Sequence, residues 1–118
     1  MRVYIITGES SGDQHASHIA KQLFKLDKDI TIKAWGGENL KSENVNLDQH
    51  IDELNFMGFW EVFKNGFNVL NNLKKCKKNI IDFAPDIVLL VDFPGFNLEI
   101  AKFTNSLNIK TYYYISPK

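Results

Sequence analysis

The stretch Ile87-Val88-Leu89-Leu90-Val91 narrows the possible fold more than any other in the chain. Five consecutive apolar residues between Asp86 and Asp92 are too few for a helix of ordinary length, and they lack the polar alternation of a half-exposed strand. They read as a strand covered on both faces, and such strands belong to parallel sheets with helices packed on either side. The run is the candidate central strand, so the rest of the chain must supply strands separated by helices.

It does. Residues 2–7 form a β-branched and aromatic run bounded by Gly8, the pattern of a buried strand. Ala16, Ile19, Ala20, Leu23 and Phe24 then recur at helical spacing, with Lys21, Gln22 and Lys25 on the outer face. Residues 30–35 repeat the strand pattern and stop at Gly36-Gly37, and residues 45–47 carry a weaker strand signal. Between 58 and 83, Phe59, Val62, Phe63, Leu70, Leu73, Ile80 and Ile81 fall on one helical face. Opposite them lie Glu61, Lys64, Asn68, Asn71, Lys75 and Lys78. Gly66 is a point of bending or division, and the helix should end before Pro85, because the residue preceding a proline is pushed out of helical geometry. Leu98, Ile100, Ala101, Phe103 and Leu107 predict another helix, and residues 110–115 a tyrosine-rich strand. Right-handed crossovers between such strands give a Rossmann-like α/β domain with a parallel sheet and helices on both faces. Residues 1–118 are read as that one domain.

Composition removes several classes of function. Fourteen basic residues balance fourteen acidic ones, so the overall charge offers nothing to a nucleic acid. Cys76 is the single cysteine, too few for an intrachain disulfide or a zinc pair, which fits a reducing compartment and a buried or idle thiol. His15 and His18 could share a helical face, but spacing supplies no third ligand, and no metal site is expected. No apolar run approaches the roughly 20 residues of a membrane-spanning helix, and Arg2 followed by Val-Tyr-Ile-Ile is not a signal-peptide layout. The expected compartment is the cytoplasm.

In a sheet of this kind, ligands gather beyond the carboxyl ends of the strands, and two polar segments fall there. The first is Gly8-Glu9-Ser10-Ser11-Gly12-Asp13. Its glycines permit close ligand approach, and the N–H groups that open the following helix favour hydroxyls or anions. Glu9 and Asp13 oppose a simple phosphate cradle, and neither G-x-G-x-x-G spacing nor a Walker lysine is present. The plainer reading has Ser10 or Ser11 capping the helix and Asp13 complementing its dipole. The second segment is Asp92-Phe93-Pro94-Gly95-Phe96-Asn97. A carboxylate at the end of an apolar strand, aimed at the crevice, suits a general base. The plainer reading has Asp92 bonding the Pro-Gly turn and Asn97 capping the next helix.

A third signal is aromatic. Phe56, Met57, Phe59, Trp60 and Phe63, with Phe67 beyond, share an amphipathic stretch with Lys74, Lys75, Lys77 and Lys78. This is either a core helix with a solvated lysine cluster or an element able to rest on an anionic membrane surface.

Four segments in register, Gly8 to Asp13, Met57-Gly58 with Glu61-Val62, Val91 to Asn97, and Tyr114-Ile115-Ser116-Pro117, resemble the lipid-A-disaccharide synthases over the whole chain. The resemblance implies half of a B-type glycosyltransferase fold, in which two Rossmann-like domains face a cleft. It implies an inverting reaction joining UDP-2,3-diacylglucosamine to 2,3-diacylglucosamine 1-phosphate, with release of UDP and no cofactor. Asp92 becomes the base on the acceptor hydroxyl, Gly8, Glu9, Ser10, Ser11, Gly12, Asp13 and Asn97 become substrate contacts, and no covalent nucleophile is needed. Phe56, Met57, Phe59, Trp60 and Phe63 become contacts to acyl chains or to the inner membrane, on which the protein would sit peripherally. The family continues past Ser-Pro into an aromatic-rich stretch and a sugar-nucleotide domain, whereas this chain stops at Lys118. It is therefore expected to be an N-terminal acceptor-side domain lacking the C-terminal one and inactive alone. Two other readings stay open at this level: a flavodoxin-like or receiver-like binding module, and a B-type glycosyltransferase with a soluble acceptor.

Overall fold

The computed structural model describes residues 1–54, 66–115 and 117, with the backbone alone for 66–68. Five strands, β1 (Arg2–Ile6), β2 (Thr31–Gly36), β3 (Asn46–His50), β4 (Ile87–Val91) and β5 (Lys110–Tyr114), form one sheet. Between them run α1 (Ser10–Leu26), the short α2 (Glu38–Ser42), a 3₁₀ turn (Ile51–Glu53), α3 (Gly66–Phe83) and α4 (Phe96–Ser106). The order is β3-β2-β1-β4-β5 and every pairing is parallel. This is the Rossmann order. Flavodoxins and receivers are wound 2-1-3-4-5, so the binding-module reading of that type is excluded by topology.

The position of the helices follows from handedness. The chain steps from β1 to β2 to β3 in one direction and from β3 over to β4 and β5 in the other, so right-handed crossovers place α1 and α2 on one face and α3 and α4 on the other. Alternation along the strands confirms it. Val3 and Ile5 pack with Ala16 and Ala20 of α1 and Leu40 of α2, while Tyr4, Ile6, Trp35, Val88 and Leu90 pack with Cys76, Ile80 and Phe83 of α3 and Phe96 and Ile100 of α4.

Several expectations shift. The central strand is β1, not β4, since β2 and β4 pair on either side of it. An unbroken apolar run reports coverage by helices on both faces and does not report rank within the sheet. α2 was not anticipated, because five residues are too short to show periodicity. Strand β3 is a polar edge strand that begins at Asn46 and runs to His50, past the expected 45–47. On α3 the buried stripe is Cys76, Ile80 and Phe83 with Leu73 packed against it, while Leu70 and Ile81 are 59% and 57% exposed. The part of the expected helix before Gly66 lies outside the described residues. Its end is as the sequence implied: Ala84 turns to φ 51° immediately before Pro85.

Two polar groups are sealed beneath α3. Tyr4 donates from its hydroxyl to Asp48 Oδ2 at 2.8 Å, and Trp35 Nε1 donates to Asn79 Oδ1 at 2.9 Å. Burial pushes the ionisation of the Tyr4 phenol and of the Cys76 thiol far above their usual ranges, with the Asp48 carboxylate adding to both.

Candidate functional site

The winding reverses between β1 and β4: α1 leaves the end of β1 toward one face and α4 leaves the end of β4 toward the other. The two polar segments therefore meet at the switch point, the place where doubly wound sheets open a crevice.

The loop after β4 is a left-handed turn. Asp92 and Phe93 have φ of 49° and 55°, followed by Gly95 at 83°. Consecutive non-glycine residues in that region each cost about 1–2 kcal/mol and persist only when neighbours hold them. The neighbours are identifiable. Asp92 N–H donates to Tyr114 O at 2.9 Å, and Asp92 O accepts from Asn97 Nδ2 and from the Tyr113 hydroxyl, both at 2.9 Å. Asn97 is fully buried, and the same amide reaches Ile6 O at 3.2 Å and Val91 O at 3.4 Å, so one side chain straps the ends of β1 and β4 together. Asn97 is not the cap of α4, whose N-cap is Gly95.

The loop after β1 packs directly on this turn. A Cβ at Gly8 would lie 2.5 Å from the Phe93 ring, and one at Gly12 would lie 2.1 Å from Thr7 Oγ1. Only glycine allows either approach. Phe93 is held from behind by stacking on Phe96 at 4.6 Å, which in turn meets Trp35 at 5.6 Å. Glu9 sits at the N-cap of α1 without a side-chain cap bond, and Ser10 and Ser11 are exposed in the first turn, so neither serine caps the helix. Asp13 is turned inward: Oδ1 accepts from Gly37 N–H at 2.7 Å and Leu40 N–H at 3.2 Å, and Oδ2 from Asn39 N–H at 3.0 Å. Its carboxylate opens α2 and anchors the loop after β2.

The carboxylates of Asp92 and Glu9 both act on one group. The Tyr113 phenol is held above its usual range by partial burial first, then by the Asp92 carboxylate, then by that of Glu9. Sequence reasoning missed Tyr113. Its signal was the tyrosine run at the end of the last strand, but its register beside Leu90 of β4, which brings the hydroxyl to the Asp92 turn, is a property of the sheet. His15 approaches Tyr114, ring centroids 5.7 Å apart, and His18 is exposed.

Phe56, Met57, Phe59, Trp60 and Phe63 lie outside the described residues. Of the lysines beyond them, Lys75 donates to Gln49 Oε1, Lys77 stands 5.4 Å from the Phe103 ring centroid, and Lys78 pairs with Asp82 at 3.0 Å. Hollows of about 650 and 350 Å³ run along β3 and beside Arg2, Lys33 and Asn79, away from the switch-point loops. Both flank the edge strand β3.

A doubly wound α/β domain whose polar loops meet at the switch point of its parallel sheet is the class that fold and site define. The chain belongs to the lipid-A-disaccharide synthetase family, whose model matches residues 3–118. It is 36% identical to lipid-A-disaccharide synthase 1 of Legionella pneumophila (strain Philadelphia 1), across 99% of this chain and 31% of that protein. It is 31% identical to the lipid-A-disaccharide synthase of Coxiella burnetii (strain Dugway 5J108-111), across 98% and 31%, and 34% identical to that of Myxococcus xanthus, across 98% and 30%. The chain thus spans about a third of the length of the curated relatives it matches. Among solved structures, a UDP-GlcNAc 2-epimerase from Neisseria meningitidis bound to UDP-GlcNAc superposes with a TM-score of 0.62. The match covers 96% of this chain and 32% of that one at 16% identity, a likeness of fold alone.

Proposed function

We propose that this chain is the N-terminal, acceptor-side domain of an inverting glycosyltransferase that joins UDP-2,3-diacylglucosamine to 2,3-diacylglucosamine 1-phosphate. The products are the lipid A disaccharide 1-phosphate and UDP. Family membership supports the reaction, and one structural observation supports the site: the Asp92 turn abuts the Gly8 loop at the switch point of the sheet. Inversion requires one in-line displacement, in which a base takes the proton of the acceptor hydroxyl as the anomeric carbon gains positive character. Asp92 is that base. Gly8, Glu9, Ser10 and Ser11 line the acceptor wall, while Gly12, Asp13 and Asn97 fix its shape from within.

The donor half of the cleft belongs to a second Rossmann-like domain that carries the sugar-nucleotide site. Acylated substrates reside in a bilayer, and no helix among the described residues is long and apolar enough to cross one. The protein works from the cytoplasmic side as a peripheral protein of the inner membrane, with Phe56, Met57, Phe59, Trp60 and Phe63 meeting acyl chains or the bilayer.

Asp92→Asn in a full-length enzyme carrying this domain should lower turnover by about 10²–10⁴-fold, the usual contribution of a positioned base, with the circular dichroism spectrum and melting profile preserved. Unchanged turnover would remove Asp92 from the mechanism. Binding of an acylated glucosamine phosphate measured against its unacylated counterpart separates a lipid acceptor from a soluble one.

A further inference from the structure

We infer that Tyr113 is a positioning residue for Asp92, holding the left-handed turn that aims the carboxylate by donating its hydroxyl hydrogen to the Asp92 carbonyl. This rests on the reading of Asp92 as the base.

Two adjacent residues with positive φ are a strained arrangement that relaxes unless its peptide groups are tied, and the carbonyl of Asp92 is the peptide oxygen at the centre of the turn. It has two donors. Asn97 Nδ2 reaches this oxygen at 2.9 Å but is shared among three carbonyls, the others being Ile6 O at 3.2 Å and Val91 O at 3.4 Å. The Tyr113 hydroxyl is given to this oxygen at 2.9 Å. Tyr113 is 37% exposed on the edge strand β5, where its hydroxyl could be satisfied by water at no cost, so the bond adds little to the core. What it fixes is the orientation of one peptide plane, and with it the direction in which the Asp92 side chain leaves the backbone. A tyrosine phenol is protonated, and therefore a donor, across the neutral range, and partial burial followed by the Asp92 and Glu9 carboxylates pushes its ionisation higher still.

A base displaced by an ångström loses about a hundredfold in rate, so loss of the tether should appear in turnover and not in substrate affinity. In a full-length enzyme carrying this domain, Tyr113→Phe is expected to lower kcat by about tenfold to a hundredfold, leaving KM for both sugars within about twofold and the melting temperature nearly unchanged. In an Asp92→Asn background the same substitution should cause no further loss, because a residue that acts through Asp92 has nothing left to position. Full kcat in Tyr113→Phe, alongside an inactive Asp92→Asn enzyme, overturns this inference and leaves the base assignment standing. A raised KM at unchanged kcat also overturns it, since Tyr113 would then be touching substrate. Full activity in Asp92→Asn overturns both.

Discussion

At the residue scale the most informative side chain is Asp13, an acid in the first turn of a helix that looks from sequence like a dipole partner or a ligand contact. Its two oxygens accept three backbone N–H groups from the loop after β2 and from the start of α2, and it is almost fully buried. A carboxylate in that setting is worth more than a surface cap, because removing it leaves buried donors unpaired. Asp13→Ala should therefore destabilise the chain by about 2–4 kcal/mol in urea unfolding, with Asp13→Asn milder because one amide oxygen still accepts. Nothing in the string Gly-Asp-Gln-His tells an inward acid from an outward one. The partners, Gly37 to Leu40, are 24 to 27 positions further along. Glu9, three residues past the end of β1, presents the same ambiguity and resolves the other way, as an exposed acid at the N-cap of α1.

At the scale of elements, α3 shows how far periodicity reaches. A helical repeat places Ile80 and Ile81 on the same broad apolar face, yet Ile80 is sealed against the sheet and Ile81 is more than half exposed. The edge of a stripe depends on how the helix is rotated about its axis, which packing against Tyr4, Trp35 and Leu90 decides. Ile80→Ala should cost about 2–5 kcal/mol, whereas Ile81→Lys should stay within about 0.5 kcal/mol, both read from chemical denaturation. Equal costs would mean that the helix is rotated from the position described. Strand β5 makes the complementary point. Its tyrosines and Ile115 are exposed, so hydrophobicity announced a strand but not which of its side chains would serve the neighbouring turn.

At the scale of the whole molecule, the sealed layer under α3 sets an alkaline limit on stability. The Cys76 thiol and the Tyr4 phenol ionise in the unfolded chain near their ordinary values, about 8.5 and 10, but stay neutral in the folded one. The unfolded state then binds fewer protons, so the stability these groups contribute is fully present below about pH 8.5 and is lost as pH rises. Urea midpoints should be level from neutral pH to about 8.5 and fall beyond it. Cys76→Ala should start lower, because it opens a cavity, and decline less steeply between about pH 9 and 10. A flat profile to pH 10 or beyond would contradict the burial of both groups. The sequence by itself determined the class of fold: an apolar strand too short for a helix, alternation of strand and helix patterns, and glycine-rich polar turns at strand ends leave little but a parallel, doubly wound sheet. Those are local signals, carried by residues within one element. Only the tertiary structure decided that β1 is central, that Asp13 and Asn97 are internal straps, and that Tyr113 meets the Asp92 turn, because each depends on which distant segments become neighbours across the sheet, and hydrogen-bond partners up to 91 residues apart leave no periodicity in the chain to read.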